Sequence, residues 1–137
     1  MNEIILNKKI SVERCIRQIS AYYAMASNTP FESDYLKQDA IAMNLQRIVE
    51  VTIDIANHVI KSKKLGLPQD SADAFVLLYR ANLISVDMMK NMKGMVGFRN
   101  VMVHEYQQMD FSIMVDVIEH HLREPLAFVD MALNAMR

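Results

Sequence analysis

Three side chains that could do chemistry lie within eight residues of one another, in the segment GFRNVMVHEY from Gly97 to Tyr106. The guanidinium of Arg99 presents fixed hydrogen-bond donors that match carboxylate or phosphate oxygens. Histidine is the side chain that most readily gains or loses a proton near neutral pH, so His104 could transfer one. Tyr106 combines an apolar ring with a hydroxyl that can form a hydrogen bond. The segment could therefore support anion binding and proton transfer.

Arg99 interrupts an apolar stripe of the sequence. The stripe alternates steps of four and three residues and consists of Met88, Met92, Met95, Arg99, Met102, Tyr106 and Met109. This spacing predicts a heptad-like seam if the segment is helical throughout. An unpaired guanidinium removed from water is strongly unfavourable, so Arg99 requires a carboxylate, a wet cleft or an anionic ligand. Glu50 or Asp54 could supply a structural ion pair, and the spacing leaves that alternative and an anion site equally open.

His104 follows Arg99 by five residues, which places it about 140° further round an ideal α-helix. The two side chains of one copy would then diverge. They would converge if the helix loosens between them, or if His104 of one chain meets Arg99 of a second chain across a two-fold axis. A single histidine is also commonly a hydrogen-bonded structural residue, and the spacing does not decide between these cases.

The elements that must position these residues are predicted to be helices. The chain of 137 residues has only three glycines and three prolines, and no alternating strand pattern. The second predicted helix is the clearest, because its apolar residues recur every three or four positions from Ile41 to Ile60. It should end in the segment KKLGLP at 63–68, where basic residues, glycine and proline follow one another. We predict one all-α domain over residues 1–137, an antiparallel up-and-down bundle of four to five helices.

Helix boundaries follow from capping residues and from proline. The first helix is predicted from about Glu3 to Met25. The later starts are predicted at side chains that can accept a hydrogen bond from the helix N-terminus, namely Ser71 for a third helix through about Ala81, Ser85 for a fourth, and Asp110 or Ser112 for a fifth. Pro125 should kink the fifth helix or restart it, because proline lacks the backbone donor.

Composition limits the classes of function. A formal net charge of −1 argues mildly against a general nucleic-acid binder, so any such contact must come from a local patch or from two combined chains. Cys15 is the single cysteine, which excludes an internal disulfide and a cysteine-based metal cluster. No apolar run approaches the ~20 residues of a membrane span, and the apolar stretch near the N-terminus is too short for a signal peptide. We expect a cytoplasmic protein that does not enter a membrane.

The segment RNVMVHEY at 99–106 resembles the motif of the HepT-like toxins, in which an arginine, four residues, a histidine, one residue and a tyrosine follow one another. These toxins belong to the HEPN superfamily of helical ribonucleases. The similarity extends to MVGF at 95–98, to NLQR at 44–47 and IDIANH at 53–58 on the second predicted helix, and to DAF at 73–75. It covers most of the chain.

This resemblance implies a HEPN-like fold and a two-fold homodimer whose motifs face each other in a cleft. It implies the toxin component of a type VII-like HEPN/MNT toxin–antitoxin system, an endoribonuclease that cleaves RNA without a metal or other cofactor. It also implies a cognate MNT-type nucleotidyltransferase antitoxin, which inhibits the toxin by AMPylation of Tyr106. An added AMP would block the cleft by its size and its negative charge.

The residue types agree with such a reaction. RNA carries its own nucleophile, the 2′-hydroxyl, so His104 would move the proton and Arg99 would stabilise charge on the phosphate. Asn100, which fits the superfamily pattern, could position a phosphate or orient His104. Tyr106 could stack on a base or bind phosphate, although it could also be an amphipathic residue at the edge of the core. The expected products are a 2′,3′-cyclic phosphate and a 5′-hydroxyl, and DNA should be inert.

Other polar residues give weaker signals. Lys90 and Lys93 of two copies would add a positive field beside the arginines, although each lysine singly is typical of a solvated face. The pair His120-His121 resembles a metal site only superficially, because adjacent helical side chains point about 100° apart and no carboxylate-rich group accompanies them in the sequence.

Two other functions remain consistent with the residues. The chain could be a non-catalytic helical subunit that docks a nucleotidyltransferase, in which case His104 would be dispensable. It could also be a purely structural bundle in which Arg99 pairs with Asp54, so that loss of the arginine would affect stability and no RNA would be cut.

Overall fold

The computed structural model describes residues 2–137, which fold into six α-helices and two short 3₁₀-helices with no β-strand in that range. The α-helices are α1 (Asn2–Ala24), α2 (Tyr35–Lys63), α3 (Ser71–Arg80), α4 (Val86–His104), α5 (Phe111–His120) and α6 (Arg123–Ala135). The 3₁₀-helices are Phe31–Ser33 and Tyr106–Gln108. The predicted all-helical fold is confirmed, and the sixth helix arises where the fifth was expected to kink or restart.

Helix α2 is the centre of the bundle and packs against α1, α3, α4 and α6. Its apolar residues at three- and four-residue steps are buried as predicted: Ile41, Leu45, Ile48, Val49, Ile55, Ala56, Val59 and Ile60. Burial of one such large aliphatic side chain contributes about 1.5–3 kcal/mol. The helix ends at Lys63 because Lys64 adopts a left-handed conformation with φ of 54°, and the Leu65 amide donates to the Ile60 carbonyl at 3.0 Å.

Acidic and hydroxyl side chains cap α3, α4 and α5, with one difference from the prediction. Ser85 accepts from the Met88 amide at 3.1 Å and Asp110 from the Ser112 amide at 2.9 Å, as predicted. Helix α3 is capped by Asp70, which accepts from the Asp73 amide at 2.7 Å, so the prediction of Ser71 as its cap was wrong. Ser71 is instead the first helical residue.

Pro125 lies in the first turn of α6 and is buried. A proline is tolerated there because the amides of the first turn have no partner within the helix. Helix α5 ends at His120 and α6 begins at Arg123, so the restart that was one of the two expected outcomes occurs. An edge-to-face contact between Phe75 and Phe128, with ring centroids 5.1 Å apart, joins α3 to α6.

The methionine seam is helical only in part. Met92, Met95 and Met102 are buried on α4, but this helix ends at His104. Met109 is nevertheless 6 % exposed, because the following 3₁₀ turn returns the chain to the core. The condition for the seam, a segment that is helical throughout, is therefore met only as far as His104, although Tyr106 and Met109 still contact the core.

Candidate active site

Arg99 lies on α4, on the side of that helix that faces α2. Its side chain is 20 % exposed, and its Nη1 is 4.0 Å from Oε1 of Glu50, whose side chain is 47 % exposed. The same Glu50 oxygen accepts a hydrogen bond from Gln46 at 3.2 Å. The Nε of Arg99 is buried and has no hydrogen-bond partner among residues 2–137. The guanidinium is thus loosely held at the limit of ion-pair distance, with donors left to bind another group.

The carboxylate beside Arg99 is one of the two candidates from the sequence. Asp54, the other candidate, pairs instead with Lys8, whose Nζ lies 3.8 Å from its Oδ2. A structural role in which Arg99 is paired with Asp54 therefore does not match the geometry. The ion pair with Glu50 is long and open to solvent, and exposed pairs of this kind contribute about 0–1 kcal/mol.

His104 and Asn100 lie on a different side of α4 from Arg99. His104 is the last residue of α4, and it is exposed, as are Asn100, Lys90 and Lys93. At about 100° per residue, Lys93, Asn100 and His104 fall within about 40° of one another, whereas Arg99 is about 140° from His104. One copy of the chain thus places His104, Asn100 and Lys93 on one exposed face, but it does not bring Arg99 to them.

Gly97 lies on the same exposed face of α4 as His104. Gly97 is exposed, and a Cβ built on it would meet no atom within 4 Å. Because glycine in a helix interior is less favourable than alanine by about 1 kcal/mol, and no neighbour within the described chain requires it, the packing of this single copy does not explain the residue.

Tyr106 lies beyond the end of α4, on the 3₁₀ turn Tyr106–Gln108. Its hydroxyl donates a hydrogen bond of 2.7 Å to Oδ1 of Asp39 on α2. Its ring packs edge-to-face against Phe111, with centroids 5.8 Å apart. Burial, followed by the hydrogen bond and the charge of Asp39, raises the pKa of the Tyr106 hydroxyl well above its usual range.

Asp39 is a residue that the sequence analysis did not identify. It lies 67 positions before Tyr106, and no local spacing links the two residues. Together with Met43, Gln46 and Met102 it lines a pocket of about 210 Å³ at the Tyr106 hydroxyl. The only available signal was its place on the outward side of the amphipathic helix α2.

Lys90 lies at a second pocket, of about 240 Å³, between α4 and the junction of α5 with α6. There the ring of His121 is hydrogen-bonded to Oε1 of Glu124 at 2.7 Å and to Oδ2 of Asp116 at 3.1 Å. The hydrogen bond with Glu124 is the main cause that raises the pKa of His121. The break before α6 thus brings two carboxylates to His121, although no group of three or more His, Cys, Asp or Glu side chains within residues 2–137 is arranged to hold a metal ion.

Burial decides whether Cys15 could be a nucleophile, and helix length and apolar character decide whether a helix could cross a membrane. Cys15 is buried, and desolvation raises the pKa of its thiol, which makes the thiolate nucleophile scarce, in agreement with the sequence analysis. Within residues 2–137, no helix combines the length and the apolar character that a membrane crossing demands.

Nearly the whole chain is similar to proteins of one known family. The sequence model described as "Ribonuclease HepT-like" matches residues 12–132. The chain is 44 % identical over 131 residues to the mRNA nuclease HepT of Shewanella oneidensis, covering 96 % of this chain and 97 % of that protein.

The chain is also similar to solved structures of toxins from toxin–antitoxin complexes. A tri-AMPylated Shewanella oneidensis HEPN toxin in complex with an MNT antitoxin is 44 % identical, with a TM-score of 0.88 over 96 % of this chain and 97 % of that one. A toxin–antitoxin structure with AMP-PNP is 43 % identical, with a TM-score of 0.90 over 96 % of this chain and 99 % of that one.

Proposed function

Because this chain belongs to the ribonuclease HepT-like family, we propose that it is the toxin of a HEPN/MNT toxin–antitoxin pair, an endoribonuclease restrained by a nucleotidyltransferase. The relatives over nearly the full length include an mRNA nuclease and a HEPN toxin bound to an MNT antitoxin. We place the reaction in the cytoplasm, in keeping with a single cysteine that can form no internal disulfide.

The observation that carries the proposal is the loosely held guanidinium of Arg99. A structural arginine would be expected to use its donors within the chain, whereas Arg99 has a buried Nε without a partner and one ion pair of 4.0 Å. A phosphate oxygen would satisfy the outer Nη donors of the guanidinium, and a guanidinium binds phosphate in the planar geometry that stabilises developing negative charge.

The second copy of the chain completes the site in this proposal. Since His104 and Arg99 point about 140° apart on α4, His104 of one protomer would act beside Arg99 of the other across a two-fold axis. The exposed face of α4, with Gly97 free of internal contacts, allows the close approach of a second helix. Two copies would also bring together Lys90 and Lys93 of each chain, which supplies a local positive field despite the net charge of −1.

The reaction we propose needs no metal. His104 removes the proton of the RNA 2′-hydroxyl, which attacks the adjacent phosphorus, and Arg99 stabilises the charge that develops on the phosphate oxygens. Asn100, on the same face of α4 as His104, contacts the phosphate or orients the imidazole. The bond from that phosphorus to the 5′-oxygen breaks, and the 5′-oxygen takes up a proton from solvent. The products are a 2′,3′-cyclic phosphate and a 5′-hydroxyl end.

The test expresses wild type, His104→Ala and Arg99→Ala without the antitoxin. Wild type alone should arrest growth and cleave RNA, and cleavage should persist in EDTA and fail on a substrate with a 2′-deoxy group at the scissile position. His104 is exposed, so its replacement should leave the fold intact. If the folded His104→Ala protein cleaves RNA as fast as wild type, the proposed nuclease mechanism is wrong.

Regulation in this proposal acts through Tyr106, to which the antitoxin adds AMP. The relative solved as a tri-AMPylated toxin supports modification of this kind. Intact-mass and peptide mass spectrometry after incubation with the antitoxin and ATP should locate the added AMP on Tyr106, and an unmodified Tyr106 in an inhibited protein would contradict the assignment.

A further inference from the structure

The hydrogen bond between Tyr106 and Asp39 joins two distant parts of the chain at the residue that we propose as the AMP acceptor. The Tyr106 hydroxyl lies 2.7 Å from Oδ1 of Asp39, a distance typical of a strong hydrogen bond to a carboxylate. Asp39 is exposed, whereas Tyr106 is partly buried against Phe111. The hydroxyl therefore lies at the surface, with its proton already directed at a base.

A phenol that attacks a phosphorus atom must lose its proton. Burial and the neighbouring carboxylate raise the pKa of Tyr106 well above its usual range, so free tyrosinate is scarce at neutral pH. The proton must then leave while the new P–O bond forms, and the group that accepts it must already lie within hydrogen-bonding distance of the hydroxyl.

The pocket around this hydrogen bond favours the transfer. Its walls are Ala42, Met43, Gln46 and Met102, with no lysine or arginine among the described lining residues. No cation of the pocket therefore competes with the phenolic proton for the carboxylate. Since Asp39 is exposed, a proton that it accepts can pass on to solvent.

We propose that Asp39 is the proton acceptor for nucleotidyl transfer onto Tyr106, so that the toxin itself supplies a reacting group for its own inactivation. The inference rests on the proposed function, in which a nucleotidyltransferase binds ATP and transfers its AMP group to the toxin. The phenolic oxygen forms a bond to the α-phosphorus, the bond from that phosphorus to pyrophosphate breaks, and pyrophosphate leaves with the electron pair. The phenolic proton passes to Oδ1 of Asp39.

The experiment measures the rate of AMP addition to the intact toxin by mass spectrometry, with ATP and saturating nucleotidyltransferase. Asp39→Asn keeps the size of the side chain and an oxygen that can accept the tyrosine hydrogen bond, but it cannot take up the proton. The expected rate at neutral pH falls about 100-fold, within the usual contribution of general-base catalysis. It should rise with pH more steeply than that of wild type, because the variant depends on tyrosinate.

Two further variants distinguish proton transfer to Asp39 from a general effect of lost negative charge, and a cleavage assay reports on folding. Asp39→Glu restores a carboxylate and should recover part of the rate. Asp87→Asn removes an equal charge from the exposed first turn of α4 and should react like wild type. RNA cleavage by Asp39→Asn without antitoxin reports that the protein is folded and functional.

The outcomes distinguish the inference from the function on which it rests. If Asp39→Asn accepts AMP at the wild-type rate and with the wild-type pH profile, Asp39 is not the proton acceptor. The same conclusion follows if Asp39→Glu is no faster than Asp39→Asn. If wild type cleaves RNA but takes up no AMP, the proposed regulation fails and this inference fails with it.

Discussion

Replacing Arg99 by glutamine separates a phosphate-binding arginine from a structural one. Glutamine keeps part of the aliphatic stem that packs between α4 and α2, but it removes the positive charge. The matched control is Glu50→Gln, which breaks the same ion pair from the other side. A structural role predicts similar damage from both variants, whereas a role in binding RNA phosphate predicts that only the arginine matters for cleavage.

The expected loss of stability follows from the geometry of the ion pair between Arg99 and Glu50. At 4.0 Å, with the carboxylate side chain 47 % exposed, the pair should contribute no more than about 1 kcal/mol to the free energy of unfolding. Removal of a group that stabilises transition-state charge lowers the rate by about 100- to 1000-fold. We therefore expect Arg99→Gln to lose RNA cleavage while its unfolding free energy falls by less than about 1 kcal/mol.

The assay combines urea unfolding with cleavage of a fluorescent RNA by the same protein preparations. Glu50→Gln should show a similarly small loss of stability and retain cleavage within a few-fold of wild type. If both variants lose several kcal/mol of stability, or if Arg99→Gln cleaves as wild type does, then the reasoning about the loosely held guanidinium is wrong.

Three other perturbations test separate features of the fold. Gly97→Ala should stabilise the monomer by up to about 1 kcal/mol, because the new Cβ meets no atom within 4 Å, yet weaken a dimer formed through α4 in sedimentation velocity; an unchanged dimer would exclude that face. Asp70→Ala should lower the free energy of unfolding by about 1 kcal/mol and Ser71→Ala by less than half of that, whereas equal losses would contradict the assignment of the cap. Because its two carboxylate partners raise the pKa of His121 above 6.5, the stabilisation is fully present below pH 6.5 and is lost as the pH rises through the folded-state value. His121→Gln should remove this decline from urea unfolding curves measured between pH 6 and 8, and an unaltered decline would assign it to another group.

Local patterns in the sequence predicted most of the helical framework. Ser85, and Asp110 or Ser112, were predicted as caps because a side-chain acceptor precedes an apolar helical pattern, and Ser85 and Asp110 form the hydrogen bonds. Asp70 and Ser71 are both good caps and adjacent, so spacing alone could not choose between them. The end of α4 at His104 carries no glycine or proline, so no terminating residue predicted that the helix stops there.

The candidate site was predictable only where its residues share one segment. The spacing of Arg99 and His104 predicted their divergence on one helix, and the structure has them on different faces of α4. Asp39 could not be found in this way, because it meets Tyr106 through the packing of a 3₁₀ turn on α2 and not through any repeat in the sequence. Which acid lies nearest Arg99, Glu50 or Asp54, likewise depends on the rotation of α2 relative to α4.

The short turn that carries Tyr106 fixes the direction in which any group attached to that residue can extend. The Glu105 amide ties the start of the turn to the Val101 carbonyl at 2.8 Å, and buried Met109 anchors its end. Phe111 packs against the ring, so a group attached to the phenolic oxygen extends away from Phe111, beside Asp39 and the open pocket that Asp39 lines. A bulky adduct can accordingly be carried without unwinding the bundle, and its removal would leave the scaffold as it was.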